Sequence, residues 1–238
     1  VPNHTAMDHP WVRRHPDWYV QASLGGAESD PADWFSVRSG GRIVRLAHGR
    51  DPSYPAWLDT AQLDYRVAGL RAAMAEMLLQ VASRCDGIRC DMAMLVLDDV
   101  FSSTWQARSR TPSNGAARAG EFWWHAIQTL RDRYPETILI AEAYWGLEHR
   151  LQQVGFDFTY DKTLLDRLRE GPGESVAAHL RADLDFQRRS VRFLENHDEP
   201  RAAAVLSPSR QRSGPGPAAT PPGRRVPPSR RSPPPAPP

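Results

Sequence analysis

Residues 120–145 read GEFWWHAIQTLRDRYPETILIAEAYW, a helix, a stop and a strand in immediate succession. Phe122, Ile127 and Leu130 share one face of a helix spanning 120 to 134, and Pro135, which has no N–H to donate, follows its last turn. Residues 137 to 141 then form a short run rich in Ile, of the length expected for a strand covered on both faces. Glu142 closes that strand, a charged group set where the apolar run stops.

The same order recurs on either side. Leu63, Val67, Leu70, Met74, Met77, Leu78 and Val81 are spaced mostly by three and four, which predicts an amphipathic helix over 64–83 with these residues on its buried face. It leads into an apolar run over 87–91 that ends in Asp91, and comparable runs lie at 156–160 and 191–194. Strands alternating with helices indicate an α/β domain built on a parallel sheet. Ahead of the alternation, residues 33 to 50 place two β-prone runs around Ser39-Gly40-Gly41, a hairpin signal. They read as part of a small inserted lobe over about 11–60. Its aromatic residues, Trp11, Trp18, Tyr19, Trp34, Tyr54 and Trp57, serve either as sugar platforms or as ordinary packing.

Composition narrows the function class. The net charge of +2 averages two segments: residues 207–238 hold six Arg and no acidic residue, so residues 1–206 carry −4. A mildly acidic body without a basic stripe argues against a nucleic-acid partner. No run approaches the ~18 apolar residues of a membrane span, which argues against a membrane partner. Cys85 and Cys90, read in one strand, are separated by roughly 16 Å, beyond disulfide reach. Two free thiols point to a reducing compartment, hence a cytoplasmic protein. The oligomeric state is not written in the sequence.

Twelve of the 22 prolines fall in residues 207–238, a Pro/Arg-rich tail with almost nothing to bury. Disorder or polyproline II is expected there. One Lys against 29 Arg implies a GC-rich gene, and out-of-frame reading of such DNA yields Pro, Arg, Ala and Gly. A frameshift near residue 207 accounts for the change of character.

Four segments end in polar or charged residues where a strand should stop: residues 1–4 (VPNH), 86–91 (DGIRCD), 138–142 (ILIAE) and 193–198 (FLENHD). A single carboxylate at a strand end is most simply a helix cap or a surface charge. Four in order are a site, because parallel strands in a barrel aim their C-terminal ends at one face.

These segments resemble the four signature regions of the α-amylase family, glycoside hydrolase family 13, in the family's order. DGIRCDMA is similar to the second region, ILIAEAYW to the third and FLENHDEP to the fourth, while VPNH resembles the end of the first. Residues 60–65, TAQLDY, resemble a further short family motif. The resemblance spans residues 1–206 and implies part of a (β/α)8 TIM barrel, from the end of strand three through strand seven. Strands one, two, most of three, and eight would then be missing, and an open sheet of that kind predicts poor stability for the chain by itself.

The resemblance also implies roles. Asp91 matches the nucleophile, Glu142 the general acid/base and Asp198 the third carboxylate, which grips substrate hydroxyls. His197 and His4 match histidines that bond the sugar, and Arg89 matches the arginine of the second region. Tyr144 and Trp145 follow the acid and either stack on sugar or pack. Asn3 matches a position that often binds structural calcium, though the lobe is short; no other cofactor is implied, and no metal-ligand spacing supports zinc.

Elementary chemistry agrees with this allocation. Residues two apart on a strand face the same way, so Arg89 lies beside Asp91 and favours its ionised form. Glu142 has the opposite need, to carry a proton, which a site shared with two other carboxylates encourages. Neighbouring strand ends can set two carboxyl groups ~5–5.5 Å apart, the separation of a retaining glycosidase. The expected activity is hydrolysis of α-glucosidic linkages in α-glucans or oligosaccharides. The alternatives are a transglycosylase of the same family, or a truncated or non-catalytic relative.

Overall fold

The helix and strand read at 120–145 form as Phe122–Arg133 and Ile138–Ala141 in a computed structural model that describes residues 2–23, 31–112 and 120–205. The expectations for the tail over 207–238 lie outside the described residues. Two units divide the chain, Val1–Phe158 and Thr159–Pro238. The first begins with β1 (His4–Ala6), α1 (Pro10–Arg14), β2 (Trp34–Ser39), β3 (Arg42–Ala47) and β4 (Thr60–Gln62). It continues through α2 (Ala68–Ala82), β5 (Gly87–Cys90), α3 (Asp98–Trp105), α4 (Phe122–Arg133), β6 (Ile138–Ala141) and α5 (Glu148–Val154). The chain passes through β7 (Phe158–Tyr160) into α6 (Lys162–Glu170), α7 (Gly173–Leu180), α8 (Leu184–Arg188), β8 (Ser190–Val191) and α9 (Ala202–Val205).

The strands that follow helices pair in parallel. β5 and β6 run in register from Gly87↔Ile138 to Cys90↔Ala141, and β7 with β8 pairs Thr159↔Ser190 and Tyr160↔Val191. In β6 Leu139 and Ala141 are fully buried while Ile138 and Ile140 are only half-buried, so the strand is less evenly covered than its apolar run predicts. The strand expected over 191–194 is shorter, ending at Val191, and Phe193 instead lays its ring against Tyr160 at 5.0 Å. The segment VPNH differs most. Its His4 opens a new strand, β1, which lies antiparallel to β4 in the register His4↔Gln62.

α2 starts later than its periodicity predicts. Asp64 accepts the Arg66 N–H at 3.0 Å and holds the guanidinium at 2.8 and 2.7 Å, so the chain turns there and the helix begins at Ala68. Leu70, Met74, Leu78 and Ala82 then form the buried stripe, and Val81 falls outside it, 42% exposed. Cys85 also moves out of its expected strand. It sits exposed beyond the helix with Sγ on the Val81 carbonyl, while Cys90 is buried in β5, and both are free thiols.

The hairpin turns at Gly40 and Gly41, whose φ of 55° and 77° are the two positive values that a two-residue hairpin requires. It is tied to the rest of its unit through Ala47 N–H to Val20 O at 2.9 Å and Ala22 N–H to Arg45 O at 3.1 Å. Its base, Trp34, Leu46 and Ala47, belongs to the main core. A chain of aromatic contacts continues inward from Trp34 through Trp105, Phe101, Tyr65, Phe122 and Trp123 to Phe156. Large flat rings in edge contact bury much apolar area per residue. They join hairpin, α3 and α4.

Candidate active site

The β5–β6 register carries Asp91 and Glu142 to adjacent positions just past their strands. The ladder extends one step beyond Cys90↔Ala141, with Glu142 N–H donating to Cys90 O at 3.0 Å and Ala93 N–H to Glu142 O at 3.1 Å. Arg89 lies two residues before Asp91 on the same strand face and reaches both carboxylates. Its Nη1 is 2.7 Å from Asp91 Oδ1 and its Nη2 is 2.6 Å from Glu142 Oε1. The Arg89–Asp91 contact is the one expected from strand spacing. The second half of the bridge is not: the charge in contact with Glu142 is a cation, where the sequence reading relied on neighbouring carboxylates.

The two acids sit in different surroundings. The Glu142 side chain is 2% exposed and that of Asp91 is 42% exposed. Glu142 also receives the Met92 backbone N–H on Oε2 at 2.8 Å and the Tyr144 hydroxyl on Oε1 at 3.0 Å. Met92, directly after Asp91, is left-handed with φ 43°, and Trp145, three residues after Glu142, has φ 62°. Such backbone is strained for non-glycine residues and persists where surrounding structure enforces it, commonly at functional sites. Between Arg89 and Asp91, the buried Cys90 thiol is pushed up to about 11 by desolvation, so it stays protonated and unreactive at neutral pH.

His4 packs its ring on Trp57 at 5.2 Å, and its Nδ1 is buried with no hydrogen-bond partner among the described residues. Burial lowers its pKa, while Asp91 and Asp59 pull weakly the other way. Gly49 admits this approach, since a side chain there would collide with Thr60, Trp57 and His4. Tyr144 packs partly against the core, whereas Trp145 is 46% exposed. Asn3 is buried and its amide pairs with that of Gln62 at 3.2 and 3.1 Å. That is one amide pair, not the set of about six to eight oxygens that calcium takes. Among the described residues no group of three or more His, Cys, Asp and Glu is placed to hold a metal ion, and no helix is long and apolar enough to cross a membrane.

The second unit carries Asp198 and His197, both largely exposed, with His197 Nε2 3.1 Å from Asp198 Oδ2. The Asp198 N–H donates to Asn196 Oδ1 at 3.0 Å, a local turn. Glu195 pairs with Arg201 at 2.9 Å. Glu199 is mostly enclosed: burial pushes its carboxyl up, but bonds from Arg169 and Lys162 bring it below the usual range. A buried network lies nearby in the same unit. Asp161 caps α6 through the Leu164 N–H, meets His179 Nε2 at 2.9 Å and Arg192 Nε at 3.4 Å, and Arg192 also bonds Gln187. His179, in α7, and His48, in the loop after β3, are both buried; His48 bonds the Thr60 carbonyl at 3.0 Å.

Sequence reasoning missed the Asp161 network and the Met92 and Tyr144 bonds to Glu142. Asp161, three residues before Leu164 at a helix start, carried an N-cap signal. A backbone N–H on a left-handed Met carries no signal in sequence.

No family model matches the chain. It is similar to the α-amylase MalA of Haloarcula japonica, 25% identical over 209 residues that make up 84% of this chain and 26% of that protein. In fold it is similar to the α-amylase of Lactobacillus plantarum, with a TM-score of 0.53 at 24% identity over 86% of this chain and 43% of that one. It is also similar to AmyB, a noncanonic maltogenic α-amylase of Thermotoga neapolitana, with a TM-score of 0.52 at 25% identity over 87% of this chain and 39% of that one. The chain thus spans about a quarter of the length of the curated relative and about two fifths of these structures. The resemblance to α-amylase-type glycoside hydrolases, first seen in the four motifs, holds in both sequence and fold.

Proposed function

We propose that this chain carries the reacting carboxylates of a retaining glycoside hydrolase acting on α-glucosidic linkages, within part of a (β/α)8 barrel. The observation that carries the reading is the Arg89 bridge, which holds Asp91 and Glu142 on one guanidinium at the ends of paired parallel strands. Asp91, 42% exposed and hydrogen-bonded by Arg89, is assigned the nucleophile's role by the motif resemblance, since both carboxylates meet the same cation. Glu142, enclosed, oriented by two hydrogen-bond donors and paired with Arg89, is the acid that protonates the leaving oxygen and the base that then activates water. Asp198 as third carboxylate and His197 and His4 as sugar contacts are assigned by the motif resemblance. Trp145, three residues after Glu142 and exposed, is read as a platform that stacks on sugar.

Intact-mass analysis after incubation with 5-fluoro-α-glucosyl fluoride tests the nucleophile. A one-sugar adduct that the Asp91→Asn variant lacks is expected. An adduct that survives in Asp91→Asn would remove Asp91 from its role, and a folded chain that forms none would favour a non-catalytic relative. First-product NMR from an α-linked oligosaccharide should show the α-anomer; the β-anomer would mean inversion.

A further inference from the structure

We propose that Tyr144 is the positioning residue of the acid, and that with Arg89 it confines the transferable proton to Glu142 Oε2. The inference rests on the reading of Glu142 as acid/base. Each carboxylate oxygen offers two lone pairs. Oε1 faces the Arg89 Nη2 at 2.6 Å and accepts the Tyr144 hydroxyl at 3.0 Å. A proton placed on Oε1 would point at a guanidinium or displace the phenol. Oε2 accepts only the Met92 N–H, at 2.8 Å, among the described residues, which leaves it one lone pair. That lone pair is where the proton belongs.

The Tyr144 ring packs partly against the core and its hydroxyl bonds Glu142, a contact that gives it a part in the acid's geometry apart from any sugar stacking. In the first half-reaction the proton passes from Oε2 to the glycosidic oxygen as the bond to C1 breaks and its electron pair leaves with that oxygen. An Asp91 oxygen supplies the pair that forms the glycosyl ester. In the second, water adds to C1, its proton returns to Oε2, and the ester bond breaks to restore the Asp91 carboxylate. Tyr144 keeps its own proton throughout.

The test compares leaving groups in Tyr144→Phe, with maltopentaose, whose leaving oxygen must be protonated, against α-maltosyl fluoride, whose fluoride departs with little acid help. Expected is a ~10- to 100-fold loss of kcat on maltopentaose and under ~3-fold on the fluoride, with KM little changed, since general acid catalysis contributes ~10²–10⁴-fold in all. Turnover of the fluoride doubles as the check that the variant is folded. Equal losses on both substrates would make Tyr144 merely structural, a raised KM on both would make it a sugar platform, and no change would leave it no role; each overturns the inference. Glu142→Gln should show the same selectivity more strongly. If it does not, or if the unaltered chain turns over neither substrate, the reading of Glu142 fails and this inference with it; selectivity in Glu142→Gln without any in Tyr144→Phe sinks the inference alone.

Discussion

Glu142 in the first unit and Asp198 in the second are both carboxylates beyond a strand of a parallel pair, yet one is fixed and the other is not. Glu142 follows a strand whose four-residue pairing continues one step past its end; its ion-pair partner comes from β5, and its hydrogen-bond donors are the N–H of the residue after Asp91 and the Tyr144 hydroxyl. Asp198 lies seven residues past a two-residue strand, is 54% exposed, and among the described residues bonds with Asn196 and His197 beside it in sequence. A carboxylate becomes a positioned group when pairing with a distant strand carries donors to it. Without that pairing it keeps only the contacts its own turn provides.

The contrast breaks if the second unit's buried carboxylate proves as dispensable as its exposed one. Asp161→Ala strips a 0% exposed partner from Arg192 and His179 and removes the α6 cap, so a loss of about 3–5 kcal/mol is expected in urea denaturation. Arg89→Ala leaves Glu142 enclosed without its cation and should destabilise the first unit by about 3 kcal/mol, less because Arg89 is 31% exposed. Arg89→Lys should restore only part of this, since a single ammonium cannot fork between two carboxylates. Asp198→Asn, by contrast, should change the melt by under ~0.5 kcal/mol, as exposed pairs contribute little. A large effect there would mean that Asp198 is held by more than its turn.

The smallest effect concerns His4. Burial holds its pKa below the ordinary 6.5, so between that value and its lower folded value the unfolded chain binds a proton that the folded chain does not. Stability should therefore fall as pH drops below 6.5 and be level above it. His4→Gln should flatten that part of the curve in pH-dependent denaturation, and an unchanged slope would assign it to other groups.

Much of the first unit was legible. The helix and strand at 120–145, the hairpin about Gly40-Gly41 and the contact of Arg89 with Asp91 all follow from local spacing, because helix and strand periodicity place side chains without reference to distant chain. What failed was non-local. Val81 belongs to the apolar spacing of α2 but not to its buried stripe, and VPNH reads as a strand end, yet its His4 opens an antiparallel pairing with β4. His48 and His179 are buried because Thr60 and Asp161 supply partners from elsewhere in the chain.

The sequence by itself singled out the candidate residues: Asp91 and Glu142 stand where apolar runs stop, and Arg89, two residues before Asp91, must share its face. Only the tertiary structure decided that Arg89 also grips Glu142, that Met92 turns left-handed to aim its N–H at Oε2, and that Tyr144 spends its hydroxyl on Oε1. The reason is register. β5 and β6 are some fifty residues apart, and which of their atoms meet is fixed by hydrogen bonds between them that no local pattern encodes.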